Sequence, residues 1–353
     1  MITINMLSKA DIVKGHGVLS AHDEQVDLIR QSLSGSFEVF EDKWKCCDIT
    51  HFHTINPTLL FRLPLAKLHG KTVGHVHFLP ETLENSIHLP WLFKVIFYKY
   101  LLFFYKRMDY LVTVNPYFID ILAGYGVDKK RVSYIPNYVS EKNFYLLPKS
   151  TKAQLRTAYN LDPNKFTALC VGQLQKRKGI IDFIEVAKMM PDIQFVWAGD
   201  FVFGKISDGY EQIKIIKNEA PDNVHFLGLI ERGKMNELYN LSDVMFLPSL
   251  EELFPMTVLE SMNCKIPILL RDLAEYKGIL FNFYLKGQTI QEFRKTLQRL
   301  QTDSEFYQMA VEMSEKGRNF YSREHVADLW KQFYETVHTS GQVRVHLHES
   351  IQK

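Results

Sequence analysis

Val244-Met245-Phe246-Leu247-Pro248-Ser249-Leu250-Glu251-Glu252-Leu253-Phe254-Pro255-Met256-Thr257-Val258-Leu259-Glu260-Ser261-Met262 is the stretch from which the fold is read. Val244 to Leu247 is an apolar run of strand length, a loop follows, and a helix begins near Met256. The first turn of that helix offers the backbone N–H groups of Met256, Thr257 and Val258, which have no acceptor inside the helix. Together with the positive end of the helix dipole they suit a diphosphate. Glu252 stands on the loop, and Glu260 follows it inside the helix. A carboxylate at the second position can accept two hydrogen bonds from a ribose diol. One at the first can meet sugar hydroxyls.

The same strand-then-helix rhythm runs outward in both directions. Ile2–Leu7, Ile49–His53, Thr72–His77, Tyr110–Val114 and Val132–Ile135 are strand candidates in the first half, with a helix expected from Ser20 to Leu33. The pattern restarts with Phe166–Val171, Ile193–Ala198, Val224–Phe226, Val244–Leu247 and Ile266–Leu269. Strands alternating with helices predict α/β domains with parallel, doubly wound sheets. A polar stretch, Glu141-Lys142-Asn143 and then Pro148-Lys149-Ser150-Thr151-Lys152, is expected to link two of them. At 353 residues, with 46% hydrophobic and 23% charged residues, the chain has length and apolar content for two cores. The expected division is 1–148, 149–318, a C-terminal helix 319–337 packing back on the first domain, and a tail 338–353. Two Rossmann-like domains in series are expected to face a cleft at their strand C-terminal ends, where such sheets bind ligands.

Three further motifs bear on ligands. Val171-Gly172-Gln173-Leu174-Gln175-Lys176-Arg177-Lys178-Gly179 follows the first strand of the second half and opens a helix. Lys14-Gly15-His16-Gly17 follows the first strand of all, and its glycines let backbone N–H groups approach a phosphate or sugar. Gly74-His75-Val76-His77-Phe78-Leu79-Pro80-Glu81 ends a strand, with His75 and His77 on one face. His51 and His53 repeat that spacing. No carboxylate or cysteine stands at ligand spacing from these histidines, so no metal is expected.

The Glu252/Glu260 string resembles the E-x7-E motif of retaining GT-B glycosyltransferases, above all glycosyltransferase family 4. The resemblance extends over Ile2 to Tyr334 and is sharpest in the second half. Val112-Thr113-Val114-Asn115-Pro116, Val132-Ser133-Tyr134-Ile135-Pro136-Asn137 and Leu238-Tyr239 to Asp243 are similar to further family strings. The resemblance implies that Glu252 contacts the donor sugar and Glu260 holds the nucleotide ribose. It implies that Arg177 and Lys178 grip the pyrophosphate, while Gln173 stands where the family commonly has arginine. His77, with His75 as fallback, would face the donor sugar. Gly15 and Gly17, Gln173, Met256, Thr257, Val258 and Glu260 would hold the donor, and His77, Glu252, Arg177 and Lys178 would serve the chemistry. Such enzymes work by front-face displacement, with no metal and no cofactor besides the sugar nucleotide.

The wording of several strings is similar to the family's bacterial diacylglycerol glycolipid synthases. The expected reaction moves glucose or galactose from UDP-glucose or UDP-galactose to a membrane glycolipid such as monoglucosyl-diacylglycerol. The alternatives are a capsule or exopolysaccharide transferase acting on a polyprenyl-linked sugar, and a non-catalytic GT-B partner protein. Residues 88–107 are densely aromatic and aliphatic, interrupted by Lys94, Lys99, Lys106 and Arg107. The lysine-free spans are too short to cross a bilayer. The stretch suits either an anionic membrane interface or a buried helix with snorkelling lysines. The first residues read as a strand and not as a signal peptide, and Cys46, Cys47, Cys170 and Cys264 read as reduced thiols. The expected location is therefore cytoplasmic, peripheral on the inner face of the membrane. A net charge of +2 gives no reason to expect nucleic acid.

Overall fold

The computed structural model describes residues 1–9, 17–80, 91–201 and 209–339. The chain forms two compact units, Met1–Leu83 with Leu89–Tyr138 and Tyr321–Lys353, and Glu84–His88 with Val139–Phe320.

The first unit holds β1 (Ile2–Leu7), β2 (Phe37–Glu41), β3 (Ile49–Phe52), β4 (Lys71–Val76), β5 (Tyr110–Thr113) and β6 (Val132–Tyr134). They form one sheet in the order β2-β1-β3-β4-β5-β6, and every pairing is parallel. Ile4, Met6, Ile49, Val73 and Val112 pack with Val26 and Ile29 of the helix Gly17–Ser32. The C-terminal helix Arg323–His338 adds Val326, Trp330, Phe333, Tyr334 and Val337 to the same core. Their spacing of three and four residues keeps one helix face inward.

The second unit holds β7 (Thr167–Val171), β8 (Gln194–Ala198), β9 (Val224–Gly228), β10 (Val244–Leu247), β11 (Ile268–Arg271) and β12 (Leu285–Gly287). Its sheet is also parallel throughout, in the order β12-β11-β10-β7-β8-β9. Phe183 packs against Phe195, Trp197 and Phe246, with ring centroids 5.2–5.7 Å apart. Asp243 pins the start of β10 to β7. Its carboxylate accepts from Thr167 N at 2.8 Å and pairs with the buried Arg156 at 2.5 Å. Residues 141–152 lie in this unit, where Tyr145 N and Leu147 N donate to Asn236 and Asn240.

The central strands match the expected runs to within a residue or two, and the first helix starts earlier than expected, at Gly17. Two strands were not anticipated, β2 and β12. Both are edge strands. A strand covered on both faces reads as a continuous apolar run. Phe37-Glu38-Val39-Phe40-Glu41 is instead interrupted by charge, and Leu285-Lys286-Gly287 is only three residues long.

In the second unit the connections reverse direction between β10 and β7. β7 leads on to β8 on one side, and β10 leads to β11 on the other. The loops after these two neighbouring strands therefore diverge and leave a crevice at their C-terminal ends. Residues 172–179 and 248–255 are those loops.

Candidate active site

The two loops are tied to each other. Leu250 N donates to Arg177 O at 2.7 Å. Gly179 sits at φ +75°, and a Cβ there would lie 2.2 Å from the carbonyl oxygen of Pro248. Only glycine permits both the left-handed backbone and this approach. Gly179→Ala is expected to cost at least 2–3 kcal/mol, from strain together with a steric clash against backbone. Thermal unfolding checks this, and an unchanged Tm would contradict the contact.

Across this junction the Lys178 ammonium forms an ion pair with Glu252 Oε1, and Ser249 Oγ donates to the same oxygen at 2.9 Å. The side chains are 13% and 6% exposed, so the pair is nearly dry. Burial alone would raise the Glu252 pKa, but Lys178, Arg177 and the hydrogen bonds from Lys178 and Ser249 outweigh it and hold the carboxyl below its ordinary value. Burial also lowers the Lys178 pKa, with Arg177 adding to the effect, even though Glu252 pulls the other way. Among the described residues Glu252 Oε2 accepts no hydrogen bond. Arg177 donates from Nε to Gln175 Oε1 at 2.9 Å, its guanidinium half-buried beside the pair.

The helix after the second loop runs Met256–Asn263 behind Pro255, with no side-chain cap. Of the three amides expected to be free, Val258 N instead closes a tight turn onto Pro255 O at 3.1 Å. Among the described residues the amides of Met256 and Thr257 find no acceptor. An uncapped end with two free donors retains its attraction for anions.

Glu260, one turn further in, is 3% exposed. Arg232 donates to Oε1 at 3.0 Å, and the Tyr239 hydroxyl donates to Oε2. Burial and the neighbouring carboxylate raise the Tyr239 pKa well above its usual value, so the phenol stays protonated as the donor. Ser249, Tyr239 and Arg232 are the functional residues the motifs did not single out. Tyr239 lay in a recognised string but without a role, and Arg232 carried no signal.

Gln173, Arg177, Lys178, Glu252, Met256, Thr257 and Glu260 thus gather at the ends of β7 and β10 in the second unit. His77 and Gly17 belong to the first unit. His77 follows β4, is buried, and lies parallel to His75 with ring centroids 4.1 Å apart. Gly17 opens a helix, and Gly15 lies outside the described residues. The register of β3 and β4, with His51 opposite Val73, brings His51, His53 and His75 into one buried cluster.

Two doubly wound parallel sheets, with acidic and basic groups at the switch point of the second, define the GT-B class of glycosyltransferase. Residues 151–320 match the family description "Glycosyl transferases group 1", and residues 40–142 match "Glycosyltransferase Family 4". The alpha-galactosylglucosyldiacylglycerol synthase of Streptococcus pneumoniae is 41% identical over 95% of this chain and 89% of its own length. The processive diacylglycerol alpha-glucosyltransferase of Acholeplasma laidlawii is 30% identical over 75% of this chain and 79% of its own. Among solved structures, Anabaena Alr3699/HepE in complex with UDP-glucose superposes with a TM-score of 0.73 at 16% identity, covering 96% of this chain and 100% of that one. This chain belongs to glycosyltransferase family 4.

Proposed function

We propose that this enzyme transfers a hexose, galactose or glucose, from a UDP-sugar to a membrane glycolipid such as monoglucosyl-diacylglycerol, with retention and without a metal at the diphosphate. The supporting observation is the 41% identity, over nearly the whole of both chains, to a galactosylglucosyldiacylglycerol synthase. UDP-glucose and UDP-galactose are α-glycosides, so the α linkage in the names of both relatives speaks for retention.

The residues have roles that suit such a displacement. The bond between the sugar C1 and the diphosphate oxygen breaks, and the leaving oxygen takes the proton of the acceptor hydroxyl. That hydroxyl oxygen then joins C1 on the same face. Negative charge grows on the diphosphate, and Arg177, Lys178 and the amides of Met256 and Thr257 stabilise it with fixed charge and dipoles. Glu252 Oε2 orients the sugar, and Glu260 holds the ribose between Arg232 and Tyr239. NMR of the product tests retention: an α-anomeric signal supports it, and a β signal overturns it.

The acceptor side rests on the helix Trp91–Arg107. Leu101, Phe104 and Tyr105 are buried in the first unit, while Trp91, Leu92, Phe93 and Ile96 are exposed, Trp91 by 76%. Lys106 and Arg107 close its last turn. Among the described residues no helix is long and apolar enough to cross a membrane. Each large apolar side chain moved into lipid gains about 1.5–3 kcal/mol, and each nearby cation about 1 kcal/mol on an anionic surface. The enzyme therefore binds peripherally, through this helix. Replacing Trp91, Leu92, Phe93 and Ile96 together by serine is expected to abolish flotation with vesicles containing phosphatidylglycerol, leaving UDP binding unchanged. Unaltered flotation would contradict the assignment.

A second reading has its own support. An Escherichia coli galactosyltransferase acting on alpha-D-GlcNAc-diphosphoundecaprenol is 27% identical over 72% of this chain. Labelled UDP-sugar offered with glucosyl-diacylglycerol vesicles, and separately with a polyprenyl-diphosphate sugar, distinguishes the two acceptors.

A further inference from the structure

The first unit buries five histidines, His22, His51, His53, His75 and His77, against one face of its sheet. Alternation along β3 and β4 places His51, His53 and His75 on that face. Trp330 and Tyr334 of the C-terminal helix pack against them, with ring centroids 5.7–6.1 Å from His51 and His75. A layer at this depth is ordinarily apolar.

Gln25 Nε2 donates to the Tyr334 hydroxyl oxygen at 3.1 Å. His51 Nδ1 and the same hydroxyl share a hydrogen bond of 2.7 Å. Among the described residues His51 Nε2 is buried without a hydrogen-bond partner. Both ring nitrogens of His53 and both of His75 are likewise buried without partners. Buried polar atoms are nearly always satisfied, so such a group of orphans calls for a ligand. One nitrogen from each of the three rings lies within 4.8 Å of the others.

We propose that His51, His53 and His75 form a binding site for a divalent transition cation of the zinc type, held inside the first unit. Three imidazoles with a lone pair each are a familiar donor set for such ions. Tetrahedral bonds to zinc place nitrogens about 3.3 Å apart, so on binding the rings close in and turn, since His51 and His75 lie nearly parallel with centroids 5.4 Å apart. Tyr334 and Gln25 act as the outer shell, orienting His51 through the nitrogen that does not bind the ion. Burial holds all three imidazoles well below their usual pKa, so they are in the neutral form that ligation needs. His22 stands beside them, its ring centroid 4.7 Å from that of His53. The two histidine pairs share one spacing in the sequence, where no metal was expected, and they meet only through the pairing of β3 with β4. The site ties β3 to β4, with Trp330 and Tyr334 of the C-terminal helix packed against it.

The test uses the full-length protein stripped with chelator and titrated with Co²⁺ and with Zn²⁺. The expected result is one ion per chain at micromolar concentration, a visible Co²⁺ spectrum of low-coordinate type, and a Tm raised by Zn²⁺. His53→Gln should lose the ion, the spectrum and the Tm shift together, while His69→Gln, at an exposed position, should retain all three. If His53→Gln fails to fold, the wild-type titration still decides. A wild-type protein that takes up no Co²⁺ or Zn²⁺ and shows no Tm shift would overturn the proposal. So would uptake that persists in His53→Gln.

Discussion

Lys178→Met is expected to destabilise the second unit by about 3–5 kcal/mol, because it leaves the buried Glu252 carboxylate without its partner. In a unit of this size that lowers Tm by roughly 10 °C. Activity should fall further than stability explains, by on the order of 10²–10³-fold, since the cation proposed to face the leaving diphosphate is also removed. Lys178→Met/Glu252→Gln should recover most of the Tm, because no buried charge remains unpaired, and should recover none of the activity. Recovery of both would mean that the pair is structural only. Acid separates the effects in another way. The Glu252 pKa is lower in the folded chain than in the unfolded one. The stability it contributes is therefore complete above the ordinary Glu pKa of about 4.3 and is lost as pH falls through the folded value. Acid titration of the wild type should show this loss, and Glu252→Gln should not.

Glu260→Ala should abolish donor binding while leaving the sheet intact. The carboxylate is buried and held from two sides by Arg232 and Tyr239, which fixes its direction before any ligand arrives. Two hydrogen bonds from a ribose diol to a charged acceptor contribute about 1.5–3 kcal/mol each, so affinity for UDP should fall by about 10²–10⁴-fold. Tyr239→Phe removes only the support and should weaken UDP binding by roughly tenfold, with kcat little changed. Calorimetry with UDP measures both. Equal affinities in wild type and Glu260→Ala would place the ribose elsewhere.

The legible part of this protein is the part built from residues close together in sequence. Val244 to Met262 contains a strand, a loop and a helix in one run, so Glu252 and Glu260 declare their positions directly. Val171 to Gly179 does the same for Arg177 and Lys178. Once β10 and β7 are neighbours, the two runs must meet, and the Lys178–Glu252 pair is the result. What supports Glu260 was hidden, since Arg232 and Tyr239 arrive from the segment after β9. The amide of Val258 was misjudged because an eight-residue helix behind a proline tightens its first turn onto the Pro255 carbonyl. The edge strands β2 and β12 lacked an apolar run because charge interrupts the first and the second has only three residues. The histidine layer depends on strand register, which pairs His51 with Val73 and so carries His53 to His75. No spacing within one segment encodes that. The helix Trp91–Arg107 carried two readings in its composition, and its burial is divided, with one end in the core and the other facing out.

The central claim is transfer of a hexose from a UDP-sugar to a glycolipid. The most direct test offers radiolabelled UDP-galactose and UDP-glucose, in separate reactions without added metal, to anionic vesicles carrying monoglucosyl-diacylglycerol. Label entering the lipid phase from one donor, and lost in Glu260→Ala, is the result predicted. No label in lipid from either donor, with UDP still bound, would contradict it.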